Sequence, residues 1–387
     1  MPGYEVMGNE EFREVQDVFA HGGVLFRHGF DAIRNDCFKV RDFEKAFAKA
    51  MGVKYALAVT SGTAALRVGL AALGIKTGDE VVTQCFTFVA TVEAIIESGA
   101  TPVCTQVDLS LNMDPDDLIS KITSKTKAVI VVHMLGVPAK LEQISKICSN
   151  RNIVLIEDTA WGCGGNLEGT ALGAWGDIGT YSFDFAKTMT TGEGGMVLFK
   201  SEELYKKAFA WHDHGHENNP LVPRWEDTRS SSGFNYRMME LQGAIGLAQL
   251  KKLPSIVIEQ RKNRDALWCA INDLPNIELR PMPNGSYDTA DALVFLVKDN
   301  NIARRCRDEL LKVGLSTKIL PEAYTWHFAG TWKHMPELVD AHGGDLSVAF
   351  ASSAEILRRA VSIPVGVRLN DDAPIKLRTA IIKAISP

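Results

Sequence analysis

Between residues 152 and 200 the chain reads NIVLIEDTAWGCGGNLEGTALGAWGDIGTYSFDFAKTMTTGEGGMVLFK, three short apolar runs separated by polar, glycine-rich connections. The run 153–156 stops at Glu157 and Asp158, and the run 178–183 passes through Ser182 toward Lys187. The run 196–199 follows the turn Gly192-Glu193-Gly194-Gly195. Apolar runs this short, bounded by turn residues, are the pattern of buried strands. In α/β sheets the strand ends are where side chains leave the core and enter a ligand crevice. An acid at one such end and a lysine just beyond another are therefore placed for chemistry.

The residue types say which chemistry. A lysine amine forms an imine with an aldehyde cofactor and keeps that aldehyde ready for exchange with a substrate amine. A carboxylate facing a pyridine nitrogen keeps it protonated, so that the ring accepts electrons from a carbanion, and small hydroxyl residues with backbone amides hold a phosphate. Lys187, Asp158 and Ser182 fit these three roles around pyridoxal 5'-phosphate. Each residue alone reads more simply as a surface or structural group, and it is their order and company that point to this cofactor.

The segments IEDTAWGCGG and GDIGTYSFDFAKTMTTGEGGMVLF resemble the DegT/StrS family of pyridoxal-phosphate-dependent sugar aminotransferases. The resemblance extends, in order, to TSGTAAL (60–66), FTFVATVEAI (86–95), VVHMLGVPA (131–139) and GFNYRMMELQGAIGLAQL (233–250). It implies an α/β chain of the pyridoxal-phosphate-dependent transferase fold type I, like aspartate aminotransferase. In that fold a large, mainly parallel αβα domain (1–250) is followed by a smaller C-terminal α/β domain (251–387). It implies Lys187 and Asp158 as catalytic residues, with Gly62, Thr63, Phe88, Trp161, Ser182 and Asn235 joining them around the cofactor. The family asparagine at position 235 reaches the cofactor phosphate of the neighbouring subunit, which implies a homodimer with shared active sites. Where the family usually carries His or Gln, this chain has Trp161, which can donate one hydrogen bond but accept none.

The implied reaction is transfer of an amino group from glutamate to a keto or aldehyde sugar in surface polysaccharide or amino-sugar biosynthesis. The pattern FR..FD..RNDC.K.RD in residues 24–45 and the run Asp213-His214-Gly215-His216 resemble one branch, the 8-amino-3,8-dideoxy-manno-octulosonate aminotransferases. The acceptor is then 8-oxo-3,8-dideoxy-manno-octulosonate or a nucleotide-linked keto sugar. Arg27, Arg34 and Arg41 are candidates for pairing with a substrate carboxylate or diphosphate, and each competes with a plain ion-pair reading. His214, Trp326 and His327 are further substrate candidates, with Trp332, Lys333 and His334 near the entrance. The family's sugar dehydratases typically have histidine at the lysine position, so Lys187 argues against that branch. The Ser182, Lys187 and Asp158 set likewise argues against a non-catalytic regulator.

Composition narrows the partners. A net charge of −5 and the lack of any basic run with interleaved aromatics argue against nucleic acid. Seven scattered cysteines without a CxxC pair suit a reducing compartment. No N-terminal apolar stretch suggests export, and no apolar run approaches the roughly 20 residues of a spanning helix, so the expectation is a cytoplasmic protein. The alternating histidines 212, 214 and 216 lack further ligands at metal spacing, so no metal is expected. From Lys54 onward strands alternate with helices, which indicates a mainly parallel sheet covered on both faces. Residues 238–250 read as one buried helix and 254–271 as a second that opens on Pro254. Residues 324–328 read as an aromatic loop.

Overall fold

The computed structural model describes residues 2–386. Seven strands form the main sheet: β1 (Tyr55–Val59), β2 (Glu80–Gln84), β3 (Thr101–Thr105), β4 (Thr126–Val132), β5 (Val154–Asp158), β6 (Ile178–Ser182) and β7 (Gly195–Phe199). Their order across the sheet is β1-β7-β6-β5-β4-β2-β3. The neighbours from β6 to β3 run parallel, whereas β7 is antiparallel to both β1 and β6. Strands β6 and β7 are buried throughout, which is why they read as unbroken apolar runs rather than alternating ones.

Helices cover both faces of this sheet. Helix α1 (Asn9–Ala20) precedes α2 (Lys39–Met51), an amphipathic helix that buries Val40, Phe43 and Phe47. Helix α3 (Gly62–Ala72) starts directly after β1, with the Ser61 hydroxyl accepting the Ala64 amide as its N-cap. Helix α4 (Val89–Glu97) follows β2 and carries Thr91 toward the end of β5.

Where two helices were expected, one runs unbroken from Glu240 to Cys269 (α5), with Pro254 inside it and residue 250 in its interior. Proline removes one helical hydrogen bond and ordinarily ends a helix. Here tertiary packing holds both halves in line. Leu253 and Val257 join the core of α2 around Phe43 and Phe47, and Leu267 joins the C-terminal core with Leu377 and Ile381. Contact with α2 is close enough that a Cβ on Gly243 would lie 2.6 Å from the Val40 nitrogen.

Beyond α5 a second sheet orders β8 (Glu278–Leu279), β9 (Ala292–Leu296) and β10 (Ala360–Pro364), with β9 central and both pairings antiparallel. Helix α6 (Ala373–Ile385) packs on it together with the helix Asn300–Lys312. Three short helices between residues 336 and 358 had no anticipated counterpart. They share a core with the ends of the main strands, in which Phe86 and Leu135 meet Leu338, Phe350 and Leu357. The aromatic stretch expected as a loop forms the short helix Tyr324–His327, and it docks through the Thr87 amide donating to the His327 carbonyl at 2.9 Å. No helix among the described residues is long and apolar enough to cross a membrane.

Candidate active site

Strand β5 delivers Asp158 at its C-terminal end in the middle of the sheet, and its neighbour Glu157 anchors the strand end. The buried Glu157 carboxylate accepts from His133 Nε2 at 2.9 Å and from the amides of Gly173 and Gly176 at 2.8 and 2.7 Å. The Ala139 amide donates to His133 Nδ1, which leaves the ring proton on Nε2 for Glu157. Asp158 is itself 6% exposed. It accepts from the Thr91 hydroxyl at 2.9 Å and the Ala160 amide at 3.2 Å, and Thr91 is bonded in turn to Thr87 at 2.8 Å. Burial raises the pKa of Asp158, against the pull of those two donors and of the Lys187 charge. A cationic partner is what this carboxylate lacks.

Lys187 lies in the turn after β6, and its ammonium sits 3.5 Å from the centroid of the Trp161 ring. The turn is held by the Lys187 amide donating to the Asp184 carbonyl at 3.0 Å and by the Gly3 amide donating to the Lys187 carbonyl at 3.3 Å. Burial lowers the lysine pKa to about 8, with Asp291 working in the opposite direction and Lys318 reinforcing the fall. A neutral amine is accordingly available near neutral pH.

The third component is the N-terminus of α3. A Cβ on Gly62 would lie 2.7 Å from the Cβ of Ser182, so glycine lets the first turn of the helix close on that serine. The unpaired amides of a helix start favour an anion. Ser61, Gly62, Thr63 and Ser182 line one cavity of about 370 Å³ together with Asp158 and Lys187. Phe88, Trp161, Trp326 and His327 complete its aromatic walls, with the Phe88 and His327 ring centroids 5.5 Å apart. Burial lowers the His327 pKa to about 4, so the ring is neutral at physiological pH, and its Nδ1 proton goes to the Ala323 carbonyl at 3.2 Å. This donor set fits pyridoxal phosphate: a buried carboxylate for a ring cation, an amine for an aldehyde, and a helix start with a hydroxyl for the phosphate.

The remaining sequence candidates lie elsewhere. Arg27 donates to Glu44 at 2.6 Å and to the Ala58 carbonyl at 3.1 Å, and Arg34 pairs with Glu240 at 3.0 Å. Neither lines the cavity, because a buried guanidinium needs an acid beside it and these two find theirs within the fold. Arg41 is exposed and stacks on Phe38. His214 is exposed outside the cavity on a left-handed turn with φ 55°. Trp332 is buried in the core and donates to the Thr325 carbonyl at 2.8 Å; neither it nor Lys333 or His334 lines the cavity. Asn235 is also exposed and outside the cavity of its own chain, bridged to Asp213. Asp213 in turn gathers Arg224, Arg237 and His28.

Sequence reasoning missed Thr91 and Glu193, which line the cavity, and Lys318 and Asp291 behind Trp161. Thr91 carried a signal, since it is a second hydroxyl residue four positions after Thr87 in the segment that follows β2. Lys318 and Asp291 carried none, because only the docking of the C-terminal part brings them near residue 161.

A profile of the DegT/DnrJ/EryC1/StrS aminotransferase family matches residues 30–381. The GDP-perosamine synthase of Vibrio cholerae is 31% identical over 346 residues, 85% of this chain and 86% of that protein. The GDP-perosamine synthase of Escherichia coli O157:H7 is 39% identical over 239 residues, which span 62% of this chain and 64% of that protein. Among solved structures, an aminotransferase from Psychrobacter cryohalolentis has a TM-score of 0.82 at 28% identity, covering 97% of this chain and 96% of its own. The chain belongs to the DegT/DnrJ/EryC1/StrS aminotransferase family, whose cofactor is pyridoxal 5'-phosphate.

Proposed function

We propose that this sugar aminotransferase moves an amino group from glutamate to a keto sugar carried on a nucleotide, and that it works as a homodimer. The observation that carries the reading is the Lys187 amine, which lies in one cavity with the Asp158 carboxylate and has a pKa brought down to about 8. The cofactor's contribution, when bound, is an aldehyde that exchanges with amines and a ring that accepts electrons. Lys187 would hold the aldehyde, and its amine would serve as general acid and base. Asp158 would keep a proton on the ring nitrogen. Gly62, Thr63 and Ser182 would hold the phosphate, with Phe88 and Trp161 beside the ring. Trp326 and His327 face the sugar. Asn235, exposed and absent from its own cavity, completes the phosphate site of the neighbouring subunit.

A nucleotide-linked acceptor is favoured over the eight-carbon sugar acid because two of the relatives are named for a GDP-linked product.

The test is the absorbance of the purified protein with pyridoxal phosphate, recorded before and after glutamate. A band of lysine-bound cofactor that moves to the amine form supports the reading. No cofactor band under any loading condition overturns it. A band that glutamate leaves in place overturns the donor assignment alone, and glutamine is then the next amine to add. The shared site is tested by mixing Lys187→Ala protein with Asn235→Ala protein. Hybrid dimers contain one intact site and regain activity; absence of recovery rules out the contribution of Asn235 across subunits.

A further inference from the structure

Trp161 meets two ammonium groups. Lys187 lies 3.5 Å from the ring centroid and Lys318 lies 4.8 Å from it. Lys318 comes from the C-terminal part of the chain, where its amide donates to the Ser362 carbonyl at 2.8 Å. Its ammonium is held by Asp291 at 2.5 Å. Asp291 is 1% exposed, and its second carboxylate oxygen has no hydrogen-bond partner. An oxygen left unmatched in a buried site projects an uncompensated field onto nearby cations.

We propose that Lys318 and Asp291 are positioning residues for Lys187: a tethered pair of opposite charges beside the Trp161 ring that sets how readily the Lys187 amine gives up its proton. The inference rests on the reading of Lys187 as the cofactor lysine. Two like charges beside one aromatic ring repel each other, so Lys318 disfavours the protonated form of Lys187. Asp291 favours it. The other charged or titratable groups facing Lys187 are Asp158 at the end of β5, Asp184 in its own turn and His327 from the short helix Tyr324–His327. Asp158 and Asp184 stabilise the ammonium. His327 is neutral above about pH 4 and adds no charge in the working range. Lys318 is therefore the one cation in this set that pushes Lys187 toward the free amine.

The two members of the pair act with opposite signs, and that makes the proposal separable from simple loss of structure. Cofactor-free full-length protein is mixed with pyridoxal phosphate across a pH series, and the rate at which the band of lysine-bound cofactor appears is recorded. Attachment needs the neutral amine, so the half-maximal pH follows the lysine. Lys318→Met should move that midpoint up by about 1 pH unit, and Asp291→Asn should move it down by a similar amount. The double variant should return close to the unmodified protein. Midpoints that move in the same direction, or not at all, overturn the proposal, because a purely structural role shifts both alike. Should Asp291→Asn fail to fold, Lys318→Met against Lys318→Arg decides it: the arginine keeps the charge and the midpoint, and equal shifts in both variants overturn the proposal. Failure of the unmodified protein to form the band is a separate result that removes the cofactor reading itself.

Discussion

Charge is buried in two regions of this molecule, and the two treat it differently. Around α2 every buried cation meets a carboxylate: Arg27 has Glu44 at 2.6 Å, Arg34 has Glu240 at 3.0 Å and Lys39 has Glu14 at 2.8 Å. In the cavity, among the described residues, no carboxylate lies within ion-pair distance of Lys187, whose nearest partner is an indole face. Asp158 has only a hydroxyl and an amide as donors. Burial therefore outweighs the opposing groups there, lowering the lysine and raising the acid. Matched charges hold elements together, whereas incompletely matched ones are poised to exchange protons and bind a charged group.

That contrast can be broken at either end. The largest effect expected is from Lys187→Ala, which should lower the amination rate by about 10⁴-fold while leaving the cooperative unfolding transition in place; single-turnover kinetics and urea unfolding measure the two. Asp158→Asn should lower the rate by about 10²-fold to 10³-fold, the range for loss of one preorganised electrostatic contact, again with little change in folding. Glu240→Ala should do the reverse. It strands Arg34 in the interior and should destabilise the fold by about 3–5 kcal/mol, with the rate per folded molecule unchanged. An Asp158→Asn protein that loses stability but keeps its rate would erase the distinction between the two regions.

The smallest expected effect is a pH dependence of stability in the cofactor-free protein. Lys187 has a folded pKa of about 8 against an ordinary 10.5. Between those values the unfolded chain binds more protons at this site, so its contribution to stability rises with pH across that window. Below about pH 8 the group is protonated in both states and its destabilising burial is fully felt. Lys187→Met should abolish that slope, read as the difference between urea midpoints of the two proteins on either side of the window.

Legibility in the sequence followed the range of the interaction. Strand ends at Asp158 and Ser182 could be read because a buried strand is a local run of apolar residues. The cap at Ser61 could be read because its partner, Ala64, is three residues away. The continuity of α5 through Pro254 could not, because local preference breaks a helix there and only packing on both sides overrides it. Arg27 and Arg34 misled for the same reason. Their partners are 17 and 206 positions away in the chain, and nothing in the arginine pattern distinguishes a cation that faces a substrate from one that faces a glutamate.

The sequence by itself determined the strand–helix rhythm, the placement of an acid and a serine at strand ends with a lysine in the turn beyond, and hence the kind of cofactor they suit. Those are properties of residue type and short-range spacing. Only the tertiary structure decided which charges are spent on the fold and which are left for chemistry. It also decided that Trp161 is shared by Lys187 and Lys318, and that residues 326 and 327 close the cavity from the far end of the chain. Burial and the identity of a charged neighbour are set by long-range packing, and these determine what an ionisable side chain does.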